Sequence, residues 1–174
     1  NGKQRSLTHA YLASVSFVDH CVGTVLEALK SSPHADNTLI VLWSDHGFHL
    51  GEKQHWRKFA LWEEATRSPL IWLAPGITTG GERCDQPVDF LSIYPTLCEL
   101  VNVPTPNHAK GASIATLLKD PHSDWNDVAL TTHGYRNHAL RDRQFRYIRY
   151  SDGSEELYDH AKDPYEYTNL ADDP

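Results

Sequence analysis

Between residues 8 and 30, apolar side chains recur at steps of three and four. Val15, Val18, Val22, Val25 and Leu29 fall on one stripe. That period predicts an amphipathic helix from Thr8 to Lys30, ended by Ser31-Ser32-Pro33-His34. After a turn at Asn37 the period gives way to a continuous apolar run, Leu39-Ile40-Val41-Leu42-Trp43, which predicts a buried strand over 38–43. A second run, Leu70 to Ala74, lies between Ser68-Pro69 and Pro75-Gly76 and predicts another buried strand. A helix, a short loop and a buried strand in succession suggest a sheet of mainly parallel character. Gly47 to Trp62, between the two runs, is aromatic and charged without a clear period and reads as a loop with some helix.

Further along, Ile77 to Gln86 reads as an exposed loop. Pro87 to Val101 carries a short helix with Ser92 as its N-cap and Pro95 in its first turn. Residues 102–124 are mostly loop, with a helical piece from Ser113 to Leu118, and Val128 to Thr132 reads as a strand. Phe145 to Tyr150 and Glu155 to Tyr158, joined through Asp152-Gly153, predict a hairpin. A polar, turn-rich tail runs from Asp163 to Pro174. The composition shifts near Asn102. Residues 1–101 therefore read as an α/β core portion, and residues 102–174 as a C-terminal subdomain with an antiparallel hairpin and tail.

At 174 residues the chain is long enough for one domain or for part of a larger one. A net charge of −7 argues against general nucleic-acid binding, and no apolar stretch is expected to span a membrane. The three cysteines form no C-x-x-C motif. Cys21 and Cys98 lie in helical patterns and read as small buried residues. Cys84 lies in a polar loop, where it could pair with a cysteine outside the chain. An opening of Asn1-Gly2-Lys3, with no Met and no signal-peptide pattern, reads as the interior of a longer protein.

The first apolar run ends on Ser44-Asp45-His46-Gly47. Ligands of open α/β sheets bind beyond the carboxyl ends of strands. Asp45 and His46, a hard oxygen and an imidazole nitrogen, thus stand where a metal or catalytic pair is expected, and Gly47 lets the backbone turn. On these four residues alone, a strand end with a solvated His is the simpler reading. A His ligand leans weakly toward Zn or Mn over Ca, and two ligands do not complete a site. Lys58, with Lys53 and Arg57 near it, offers a point charge for sulfate or phosphate. For Lys58, His49, His55 and Lys53 taken singly, a solvated side chain is the safer reading. His133, His138 and Arg141 flank the strand after Val128 and suit an acidic-substrate cleft or a solvated face equally.

Taken in order, four segments resemble the C-terminal part of a type I sulfatase of the alkaline phosphatase superfamily, with closest likeness to the iduronate-2-sulfatase group. They are Ala10 to Asp19 with Val22-Gly23; Ser44 to Glu52 with Trp56-Arg57-Lys58; Arg67 to Ile71 with Tyr94-Pro95-Thr96-Leu97; and Glu156 to Asp159 with Asp163-Pro164-Tyr165-Glu166 and Asn169-Leu170-Ala171. The resemblance implies an α/β fold: part of a mixed or parallel sheet with helices, plus a small C-terminal antiparallel subdomain. It implies Asp45 and His46 as two ligands of one Ca²⁺, and Lys58 as the catalytic cation holding the sulfate. His55, His133, His138 and Arg141 are candidate substrate contacts. The nucleophile, a formylglycine made from Cys or Ser in a C/S-x-P/A-x-R motif, is absent around Cys21, Cys84 and Cys98. The family's N-terminal aspartates are absent too.

The expectation is therefore a sulfuric ester hydrolase acting on a sulfated sugar. Its nucleophile and half of its metal shell lie in a missing N-terminal half, so this stretch is inactive alone. A periplasmic, secreted or lysosomal location is implied. The rival readings are a phosphomonoesterase or phosphonate hydrolase of the same superfamily, and a non-catalytic module binding sulfated glycans.

Overall fold

The structure is a computed structural model describing residues 2–171. Asn1 and the last three residues of the polar tail lie outside it. Helix α1 spans Gly2–Lys30, six residues earlier than the apolar stripe suggests, because nothing between Gly2 and Leu7 breaks a helix. Val15, Val18 and Val25 of the stripe are exposed and Val22 and Leu29 half-buried, and Cys21 is exposed rather than buried. Tyr11 stacks on Phe48 at 5.0 Å. By length and composition alone α1 is long and apolar enough to cross a membrane. That departs from the expectation, which weighed the stripe and overlooked the sparse charge across the whole helix.

Strand β1 (Ile40–Trp43) pairs with β4 (Leu70–Leu73) in antiparallel register, Ile40 opposite Leu73 and Trp43 opposite Leu70. The parallel neighbour suggested by the sequence is not seen between these two strands. The chain between them builds a hairpin and one short helix instead of a crossover helix. Neither strand is fully buried: Trp43 is 51% and Ile71 57% exposed.

The segment that follows β1 is a small hairpin, β2 (His49–Leu50) with β3 (Trp56–Arg57), around a 3-10 turn at Glu52–Gln54, where a loop with some helix was expected. Two-residue strands are too short to carry a period. Three of its non-glycine residues, Lys53, Gln54 and Arg57, hold positive φ, a strained geometry of the kind that gathers at functional sites. Helix α2 (Glu63–Thr66) follows. Helix α3 (Ile93–Leu100) continues a 3-10 turn at Phe90–Ser92, so Ser92 is already helical and makes no cap bond. Its Cys98 is buried, as expected. Helix α4 (Ala115–Lys119) packs on α3, pinned where the Ile114 N–H donates to Thr96 Oγ1 at 2.9 Å.

A four-stranded antiparallel sheet closes the chain: β5 (Ala129–Thr132), β6 (His138–Arg141), β7 (Phe145–Arg149) and β8 (Glu155–Asp159), in that order. The β7–β8 hairpin turns at Asp152-Gly153, with Gly153 at φ 91° and Asp152 Oδ1 accepting from the Ser154 N–H. One face of this sheet presents Ala139, Ile148 and Tyr158 to Leu61, with Trp62 and Tyr150 packed alongside. That packing draws the 61–66 segment onto the C-terminal sheet.

Candidate active site

Beyond β1 the backbone is fastened before it reaches the two candidate ligands. The Ser44 N–H donates to Pro69 O, Ser68 Oγ to Ser44 O, and Ser44 Oγ to His46 O. The His46 ring follows from this. Its Nδ1 lies 2.7 Å from Gly47 O; a carbonyl only accepts, so the ring proton sits on Nδ1. Nε2 faces Asp45 Oδ2 at 3.3 Å. Asp45 is exposed (78%) and His46 partly so (30%), and both line one broad cleft together with Lys58, His133 and Arg141.

Gly47 is required here for closeness of approach, not for a turn, since its φ is not positive. Its N–H donates to Ala65 O at 2.8 Å. A Cβ would collide with Glu64 O and stand 2.5 Å from Arg67 O. The end of α2 is thus pressed against the peptide that orients His46.

Lys58 is half-buried, its Nζ 5.8 Å from the ring centre of Phe59. Phe59 is 64% exposed and faces His133, with ring centres 5.8 Å apart. Arg141 stands in the cleft wall with its guanidinium occupied: it contacts Glu63 Oε2 at 3.4 Å, donates to Asp142 O, and donates to His160 Nδ1 at 3.0 Å. His138 is exposed on β6 against Thr132 Oγ1 (2.9 Å), and neither it nor His55 lines the cleft. His55 packs edge-on with His49 and Trp62. His49 is fully buried with neither ring nitrogen hydrogen-bonded. Burial, then the neighbouring His55, push its pKa below the ordinary histidine value.

Beside the cleft lies a buried ionic network. Arg146, 3% exposed, donates to Leu61 O and to Glu63 Oε2. Its Nε lies 2.6 Å from Glu166 Oε1, an ion pair whose N–H is not aimed at that oxygen. Glu166 Oε2 accepts the Glu63 N–H at 2.9 Å, and His160 Nε2 meets Glu166 Oε1 at 2.8 Å. Because Arg141 can only donate, His160 carries its proton on Nε2. Burial pushes the Glu166 carboxyl up, but the His160 bond, Arg146 and the Glu63 N–H outweigh it and hold the pKa low. Glu63, His160 and Glu166 bring ligand atoms within 4.8 Å of one another. Two guanidiniums already occupy the place of a cation there.

The family model for sulfatases matches residues 1–103. This chain belongs to the sulfatase family. It is 47% identical over 98% of its length to a sulfatase of Formosa agariphila, covering 34% of that protein. The chain spans about a third of the length of the curated relatives it matches. Among solved structures, one in complex with its substrate D-glucosamine-2-N,6-O-disulfate superposes with TM-score 0.86 at 30% identity, covering 94% of this chain and 36% of that one. The phosphonate monoester hydrolase of Agrobacterium radiobacter superposes with TM-score 0.79 at 28% identity, covering 91% and 36%. The alkaline-phosphatase-like α/β fold expected from the resemblance is the fold of these neighbours.

Other parts of this sulfatase chain escaped the sequence reading. Arg67, Arg143 and His160 also line the cleft. Arg146 shares the buried face of β7 with Ile148, as strand alternation places it, but no pattern in the sequence marks a buried guanidinium there. The Glu in Asp163-Pro164-Tyr165-Glu166 was visible as part of a family pattern without a role. Its partners lie far away in sequence, where no local signal reaches.

Proposed function

We propose that this chain is the C-terminal part of a metal-dependent sulfatase that cleaves sulfate esters on carbohydrates, releasing an alcohol and sulfate at the cost of one water. The observation carrying this reading is the convergence of Asp45 Oδ2 and His46 Nε2, 3.3 Å apart, in the cleft that also holds Lys58. The donor set fits a divalent cation: one anionic oxygen, and one imidazole nitrogen on a ring oriented by the bond from its other nitrogen to Gly47 O. Asp45 and His46 would hold two positions of a Ca²⁺ whose remaining ligands come from outside this chain, as would the formylglycine nucleophile. Bound there, the metal would polarise an oxygen of the ester's sulfuryl group. Lys58 holds that group by charge, and the aromatic pair Phe59 and His133 gives the cleft rim a surface on which a sugar ring can rest. A glycan substrate is further supported by the disulfated glucosamine bound by the structural relative.

Paired assays of the complete polypeptide on an aryl sulfate and an aryl phosphate test the reading. Asp45→Ala is expected to abolish turnover and metal content together, and Lys58→Ala to lower kcat by about 100-fold or more with little loss of stability. Unchanged metal in Asp45→Ala would refute the site. Faster cleavage of the phosphate or of a phosphonate ester would favour the second reading, which the likeness to the phosphonate hydrolase supports. Binding of sulfated glycan without turnover would make the protein a lectin-like relative.

A further inference from the structure

We propose that Arg146 and Glu166 are positioning residues that set the metal-binding geometry of His46 through helix α2. The inference rests on the metal site proposed above. A continuous series of contacts carries it. Glu166 accepts the backbone N–H of Glu63, the first residue of α2, and Arg146 holds both the Glu63 carboxylate and the Leu61 carbonyl just ahead of it. The far end of α2 meets the metal turn: Ala65 O receives the Gly47 N–H, and the carbonyls of Glu64 and Arg67 leave no room for a side chain at Gly47. The Gly47 carbonyl, in the next peptide unit, accepts from His46 Nδ1. A four-residue helix is too short to hold its place by itself. Its position is dictated by what grips its first turn, and both gripping groups are nearly inaccessible to solvent.

Once α2 is released, the Gly47 peptide can rotate. The hydrogen bond that orients the His46 ring and points its Nε2 beside Asp45 is then lost. Partners that orient a ligating imidazole are worth about 10–100-fold in metal affinity, and that range is the expected effect here.

The test uses the complete polypeptide, with Ca²⁺ affinity measured by calorimetry and backbone exchange of the 44–48 segment by mass spectrometry. Glu166→Gln and Arg146→Lys preserve shape or charge while loosening the grip on α2. Both are expected to weaken Ca²⁺ binding at least tenfold and to speed exchange in the 44–48 segment. Thr96→Val, which removes the buried bonds of Thr96 Oγ1 to Ser92 O and from the Ile114 N–H, serves as a control. It should lower the melting temperature without altering either readout. Wild-type affinity and protection in Glu166→Gln, or an equal loss in Thr96→Val, would overturn the proposal while leaving the metal site intact. Should Asp45→Ala bind Ca²⁺ like wild type, the metal site itself falls and this inference falls with it.

Discussion

Gly47→Ala is the sharpest single perturbation of this chain. The added Cβ would overlap Glu64 O and come within 2.5 Å of Arg67 O. Both are backbone atoms, so neither can swing aside as a flexible side chain would. Relief requires moving α2 or the Asp45–His46 turn. Moving either stretches the Gly47–Ala65 bond of 2.8 Å. Overpacking against an unyielding wall costs about 1–3 kcal/mol, and a weakened backbone hydrogen bond about 1 kcal/mol more, giving a destabilisation of about 2–4 kcal/mol. The assay is denaturant unfolding of the complete protein followed by a metal assay of the folded fraction. A lower midpoint is expected with the denaturant slope unchanged, and with reduced content of the proposed Ca²⁺, because the His46 anchor moves with the backbone. A variant with wild-type midpoint and full metal content would refute the claim that α2 and the metal turn are in fixed contact.

Two further outcomes follow from other places in the fold. Gly111 sits at φ 88° with Leu91 backbone atoms 2.5 and 2.6 Å from where a Cβ would be, so Gly111→Ala should destabilise by about 2 kcal/mol or more, read as a drop in melting temperature. His49 has a lowered pKa when folded. Below its unfolded value near 6.5 the unfolded chain binds the extra proton, so stability should fall as pH drops from 7 toward 5. His49→Phe should flatten that part of the curve, and an unchanged slope would show that other groups set it.

What the sequence made legible was local. The Asp-Gly turn named the β7–β8 hairpin because only a few residue pairs suit that backbone. The run from Leu39 to Trp43 announced a strand. The hairpin at residues 49–57 was illegible because its strands hold two residues each. Strand β6 hid behind His138 and Arg141, polar residues that read as flanks of the strand after Val128. The ionic network could not be read at all: Arg146 finds Glu63 at a separation of 83 residues and Leu61 at 85. Gly47 was singled out correctly for the wrong reason, since sequence shows a glycine but not which carbonyls crowd it.

The β1–β4 ribbon has a practical consequence. Leu42, Trp43, Ile71 and Leu73 leave apolar surface open on a two-stranded sheet that no further strand extends among the described residues. Surfaces of that kind template further strands. Produced as an isolated polypeptide, these 174 residues should self-associate in a concentration-dependent way and accumulate as insoluble material.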